Sequence, residues 1–315
     1  MRGGLDHIKS KLRFYFYLRL KDSFKILVYF VAVVILGALL APPLFWAGNA
    51  VGRALDWEIL KALRESDFQR YFHRAILVAA VVLLIPLARW LHLPSWRILF
   101  AQNDPRPIPH LLMGFFIALA VLTALGFGLV HFDYWNWKDP LPWERVQKVV
   151  VTAVVVSIIE EFFFRGALTK VVTRSAGPWW ALLFVSALYS VVHFLKPRET
   201  VIPANAVNWL SGFDLIPASF ERFSEPEMVL AGFGTLFILG CTLGYAAWKT
   251  NGLWYSMGLH AGAILGKFGF NKLAKIDRKH DAMPWFHSDI TIGYGAIGVM
   301  LLLFFLVWWS LRKAR

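Results

Sequence analysis

Two adjacent carboxylates, Glu160 and Glu161, stand inside the apolar run "IIEEFFFRGAL" at residues 158–168, with Arg165 one helical turn further on. Two histidines lie in later apolar runs: His193 in "SALYSVVHFLKP" and His260 in "LWYSMGLHAGAILGKF". These residue types can hydrolyse a bond. A carboxylate in a low-dielectric pocket can act as a general base for water. Imidazoles can orient that water, donate to a developing oxyanion, or hold a metal. One glutamate with two histidines also supplies three ligands and leaves a position open for water, as in catalytic zinc sites. The residue types alone leave all of these open.

Helix geometry sorts the two carboxylates. Glu161 and Arg165 are i,i+4 neighbours and can pair along one face. Glu160 points about 100° away from Glu161 and does not share that partner. A buried charge pair that ties helices together accounts for Glu161 and Arg165, and it leaves Glu160 over. An acidic side chain at mid-membrane costs about 2.5–3.5 kcal/mol by insertion measurements, so one without a packing role points to function. A single membrane histidine is more often a packing residue than a catalyst, but depth connects both to Glu160. At 1.5 Å per residue, Glu160 stands roughly 15–20 Å above the 170–177 connection and His193 roughly 22 Å above it. His260 is about 10 Å from the 249–252 turn on the same membrane side, so the three can meet in the middle of the bilayer.

The elements that position these residues must be membrane helices. Hydrophobic residues make up 58% of the 315, and only 17% are charged, which excludes an ordinary soluble domain. Eight apolar segments, near 26–48, 73–91, 110–131, 146–169, 178–195, 228–248, 253–270 and 289–311, approach the roughly 20 residues that span a bilayer. Tryptophans such as Trp46, Trp90, Trp179, Trp248 and Trp308 fall near segment ends, as an interfacial belt should. The expected fold is therefore all-α, a polytopic helical bundle of about eight spans.

Residues 1–25, basic and interleaved with "FYFYL", read as an amphipathic segment on the membrane surface. Residues 26–315 read as a single transmembrane domain whose catalytic core lies at about 146–270. The net charge of +13 points to anionic lipid head groups as partner, not nucleic acid. A lone cysteine, Cys241, excludes an internal disulfide and a cysteine metal cluster. Basic ends and an even span count place both termini in the cytoplasm. The basic loop at 267–279 then faces the wrong side for that rule. Gly240 with Gly244, and the stripe Gly258, Gly262 and Gly266, mark helix-packing faces.

In "EEFFFR", "YSVVH" and "GLHAGAI" the chain resembles the CPBP family of intramembrane proteases, the CAAX proteases and bacteriocin-processing enzymes also called Abi. These stretches are similar to the family's EExxxR, FxxxH (here with Tyr189 for phenylalanine) and HxxxN motifs, and they occur in the family's order. The resemblance implies an intramembrane endopeptidase of glutamic type acting on a membrane-anchored protein or peptide, in a multi-pass membrane protein of a bacterial inner membrane. It implies Glu160 as activator of water, His193 assisting, His260 near the oxyanion, and Glu161 and Arg165 in support. It implies no cofactor; zinc held by Glu160, His193 and His260 is the alternative. Ile264 departs from the pattern, because the family's asparagine belongs there. Ser256, one turn before His260, is a possible oxyanion donor in its place.

A non-catalytic membrane protein, such as a transporter, immunity protein or scaffold, is the competing reading. Neither a repeated half nor paired Pro/Gly interruptions support a transporter. The remaining histidines, His7, His73, His92, His110, His131, His280 and His287, sit at segment ends or in loops and read as interfacial or solvated. Lys267 reads as a helix-end lysine reaching for water. The long 196–227 connection reads as a loop that follows His193 directly.

Overall fold

The structure, a computed structural model, describes residues 2–54, 66–91, 103–195, 202–224, 226–277, 284–287 and 289–312, with the backbone alone at 2–23, Ser175 and Arg222. Helices run over Arg2–Ala54 (α1), Phe68–Trp90 (α2), Pro107–His131 (α3), Trp143–Glu161 (α4), Thr169–Ala176 (α5), Pro178–Phe194 (α6), Ser211–Ala218 (α7), Pro226–Thr250 (α8), Trp254–Leu273 (α9) and Tyr294–Leu311 (α10). A π-helical stretch, Phe162–Leu168, joins α4 to α5 without a break. Two short strands, Trp135–Trp137 (β1) and Ala274–Ile276 (β2), pair antiparallel with Trp135 opposite Ile276.

Each of the eight apolar segments falls on a helix, so the chain is an all-α membrane protein. Among the described residues, five helices are long and apolar enough to cross a bilayer: Phe24–Ala54 within α1, then α2, α3, α8 and α10. The other three differ for physical reasons. Helix α6 has 17 residues, α4 opens with Glu144, Arg145 and Lys148 ahead of its two glutamates, and α9 carries Lys267, Asn271 and Lys272 besides His260. The last segment begins at Tyr294, because Gly293 adopts φ 127° and the chain before it turns. The interfacial readings of His7, His92 and His280 and the end of the basic "RKAR" tail lie outside the described residues.

Residues 1–94 with 193–224 make one unit. Here α1 and α2 form an antiparallel hairpin, with the Tyr29 hydroxyl donating to Ala80 O at 2.7 Å and Gly37 making room for Ile76. Their shared core is Ala38, Ala41, Phe45, Phe68, Tyr71 and Phe72, closed by Leu215 of α7. Gly212 allows α7 to rest on the Ala38 carbonyl, so part of the connection read as a loop is a packed helix.

Residues 95–192 with 225–315 make the second unit. Helices α3 and α9 run parallel and nearly touch: Gly258 meets the Leu111 carbonyl, Gly262 that of Phe115, and Gly114 that of Tyr255. Any side chain on these glycines would drive the backbones apart, which is the reason for the stripe. On the opposite side, Gly240 and Gly244 of α8 lie against Ser186 and Leu182 of α6, with Ser190 Oγ donating to Phe233 O at 2.8 Å. Leu122, Leu243, Leu259, Met300 and Leu303 fill the core between α3, α8, α9 and α10. One polar reading is corrected: His110 is not solvated but 7% exposed, with Nδ1 2.7 Å from Asp104 Oδ1. Lys267, its side chain 21% exposed, also pairs through Nζ with Asp289 Oδ2 at 2.8 Å.

Candidate active site

Glu161 closes α4, and its side chain is fully sealed from solvent. Arg165 lies within the π-helical stretch and places Nη1 2.9 Å from Glu161 Oε1. The wider π turn leaves the Phe164 carbonyl to be met five residues on, by both the backbone N–H and the Oγ1 of Thr169, the latter at 2.8 Å. Such turns cluster at functional sites because they redirect side chains out of the ordinary helical register. Arg165 uses the freedom fully. Its Nη2 donates to Gly240 O of α8 at 3.2 Å, and its guanidinium stacks on the Tyr189 ring at 4.6 Å. The cation thus fastens α4, α6 and α8 together.

His260 of α9, 3% exposed, approaches the same carboxylate from the other side. Its Nδ1 lies 2.9 Å from Glu161 Oε1. An ionised carboxylate only accepts, so Nδ1 carries the proton and the tautomer follows. The other ring nitrogen, Nε2, faces two groups: the Tyr189 hydroxyl at 3.3 Å and Glu160 Oε2 at 3.8 Å. Glu160 differs from its neighbour in access, its side chain being 15% exposed. One imidazole therefore stands between two consecutive carboxylates, one sealed and one partly exposed.

Other candidate residues fall around this centre. Ser256, buried one turn before His260, donates its Oγ to Leu253 O at 3.0 Å. Ile264, one turn after His260, packs with Ala153 and Ala261 and against Val156, so the wall of α4 beside it is apolar. His193 stands in the last turn of α6, one turn beyond Tyr189, where the chain leaves this unit. Among the described residues no three His, Cys, Asp or Glu side chains gather as a metal-holding group.

Sequence reasoning missed two participants. The Tyr189 hydroxyl could have been found, since a tyrosine deep in an apolar helix must seek a partner for its O–H. The Gly240 carbonyl left no signal, because a backbone acceptor has no letter of its own.

Residues 142–265 match the family model described as Rce1-like, type II CAAX prenyl endopeptidase Rce1-like. That span runs from the start of α4 through His260 to one residue past Ile264, and so contains every side chain placed in the centre above. No curated protein matches the chain.

Proposed function

Since residues 142–265 are an Rce1-like region of the CPBP family, a protease of the CAAX type at the family level, we propose that this chain is an intramembrane endopeptidase of glutamic type. Its substrate in this reading is a membrane-anchored protein or peptide. The observation that carries the reading is the placing of His260 between Glu161 at 2.9 Å and the more accessible Glu160 at 3.8 Å.

Glu160 takes a proton from water as the water oxygen attacks the carbonyl carbon of the scissile bond. Negative charge gathers on the former carbonyl oxygen. His260 is held through its Nδ1–H by Glu161 and presents a bare Nε2 beside Glu160, where it accepts the second hydrogen of the attacking water and orients it. The proton on Glu160 then passes to the leaving amine, the C–N bond breaks, and the carboxylate is restored. Arg165 holds Glu161 in place. The assisting role of His193 rests on the family pattern. No cofactor is required in this scheme, and the protein acts from within the lipid bilayer of a bacterial inner membrane.

The test is cleavage in proteoliposomes. Purified protein and a prenylated peptide ending in a CAAX sequence are reconstituted together, and the products are read by mass spectrometry. A single cut that the native protein makes and Glu160→Gln does not is the expected result. Native protein that leaves this and a panel of other membrane-anchored peptides intact would favour the non-catalytic reading instead.

A further inference from the structure

An apolar groove runs along α3 and α9, away from the Glu–His centre. It encloses about 500 Å³, with Leu119, Thr123 and Phe127 on one wall, Gly269 and Leu273 on the other, and Trp143 of α4 at its end. Eight residues along either helix, at 1.5 Å each, give it a length of about 12 Å. Its outer end lies where α3 and α9 finish and α4 begins, beside the β1–β2 ribbon. Trp137 and Trp143 are 39% and 59% exposed there, in the manner of side chains that sit at a bilayer surface.

Charge collects at that same end. Lys138, between β1 and α4, is spent on structure: its Nζ donates to the carbonyls of Asn271 and Lys272 at 2.9 and 2.8 Å. Burial pushes its ammonium below the ordinary lysine value, and the neighbouring Lys272, Arg145 and Lys275 push it further the same way. Those three cations are exposed, and among the described residues none forms an ion pair. Acidic residues do occur nearby in the chain, Asp139, Glu144 and Asp277, the last accepting from Asn136 at 2.9 Å. None of these described carboxylates forms a salt bridge with the three cations.

Like charges held together need an anion, and an open apolar groove needs apolar cover. We propose that the groove seats an acyl chain of an anionic phospholipid from the surrounding bilayer, with the phosphate of its head group on Arg145, Lys272 and Lys275. A soluble polyanion would satisfy the cations and leave the groove open. A neutral lipid would fill the groove and leave the cations alone. An anionic lipid does both, and it gives Lys272 at the end of α9 and Lys275 of β2 a role other than setting orientation.

The test reads lipid binding and needs no cleavage. Delipidated native protein in detergent is titrated with phosphatidylglycerol or phosphatidylcholine of the same acyl chains and followed by native mass spectrometry. One phosphatidylglycerol should be retained on the order of a hundredfold more tightly than phosphatidylcholine, and millimolar inorganic phosphate should not displace it. Neutralising all three cations (R145Q, K272Q, K275Q) should weaken phosphatidylglycerol about fivefold per charge, on the order of a hundredfold together, and leave phosphatidylcholine unchanged. Gly269→Leu should weaken both lipids tenfold or more. It can fold, because a Cβ built at Gly269 meets only Leu265, at 3.8 Å. Thr123→Phe blocks the groove from the opposite wall and should act alike. Equal retention of the two lipids would overturn the proposal, as would undiminished phosphatidylglycerol binding in both groove variants.

Discussion

Replacing each glutamate in turn separates the roles of Glu160 and Glu161. Glu161→Gln keeps the shape of a side chain that is fully sealed, but it leaves Arg165, itself 1% exposed, as a buried charge with no counter-charge 2.9 Å away. Removing one member of such a pair costs about 3–5 kcal/mol. His260 Nδ1 loses its charged acceptor as well. For a domain of comparable size that free energy corresponds to a melting temperature lower by roughly 10 °C. Glu160→Gln acts differently. Its side chain is 15% exposed and stands 3.8 Å from Nε2, beyond hydrogen-bond length, so the stability change should stay within about 1 kcal/mol. Cleavage should fall about 10²–10⁴-fold, the range a positioned general base supplies. Thermal melting in detergent beside the proteoliposome assay reads both quantities. The double variant Glu161→Leu/Arg165→Met should melt above Glu161→Gln, since it removes both charges together, yet remain inactive because His260 has lost its anchor. Full activity in Glu160→Gln, or a native melting temperature in Glu161→Gln, would refute this division of labour.

Exhaustive chelation should leave cleavage intact; activity that is lost and then restored by zinc would transfer Glu160, His193 and His260 to a metal site. Reporter domains fused at residues 10 and 315 should report from the same membrane side, and opposite sides would refute an even number of spans. Tyr189→Phe gives up the 3.3 Å approach to His260 but keeps the ring on Arg165, so it should cost about 0.5–1.5 kcal/mol in melting experiments, whereas Tyr189→Ala should cost about 3–5 kcal/mol. Asp289, in the loop before α10, has its carboxyl raised by burial, but Lys267 at 2.8 Å and the bonds from Thr291 outweigh this and hold it below the usual carboxylate value. A depressed carboxyl stabilises the fold above the unfolded value of about 3.9, and that stability is lost as the pH falls through the folded value. Asp289→Asn should therefore remove part of the acid-induced drop in melting temperature, and an unchanged acid profile would exclude the pair from that drop.

Features written in side chains at helical spacing were legible. The Glu161–Arg165 pair follows from i,i+4 geometry, and the glycines at 240, 244, 258 and 262 mark the faces that the structure packs. Distant partners were not legible. His110 looked solvated because nothing local announces that Asp104, six residues earlier, turns back to cap it. The Lys267–Asp289 pair went unseen because Asp289 lies beyond an entire strand. The π-helical stretch was invisible too. "FFFRGAL" is as apolar as any membrane helix, and only the bond from Thr169 to the Phe164 carbonyl reveals the wider turn.

The adjacency of the two carboxylates has a geometric logic of its own. The two nitrogens of an imidazole point apart across the ring, and a hydrolytic histidine needs each engaged differently. Consecutive residues on a helix also point about 100° apart. A single helix end can therefore offer one carboxylate to each nitrogen: Glu161 to Nδ1 at 2.9 Å, Glu160 toward Nε2 at 3.8 Å. The pairing works only if the two environments differ. Arg165 clamps Glu161 in a sealed position, from which it fixes the ring. Glu160 stands farther from the ring and is partly exposed, as the proposed general base requires. Moving the outer carboxylate to the far side of Glu161, by Glu160→Ala together with Phe162→Glu, keeps two adjacent carboxylates and destroys this division. That double variant should fold through the retained Glu161–Arg165 pair and fail to cleave. Cleavage at the native rate would show that the second carboxylate need only be nearby, and the geometric argument would fall.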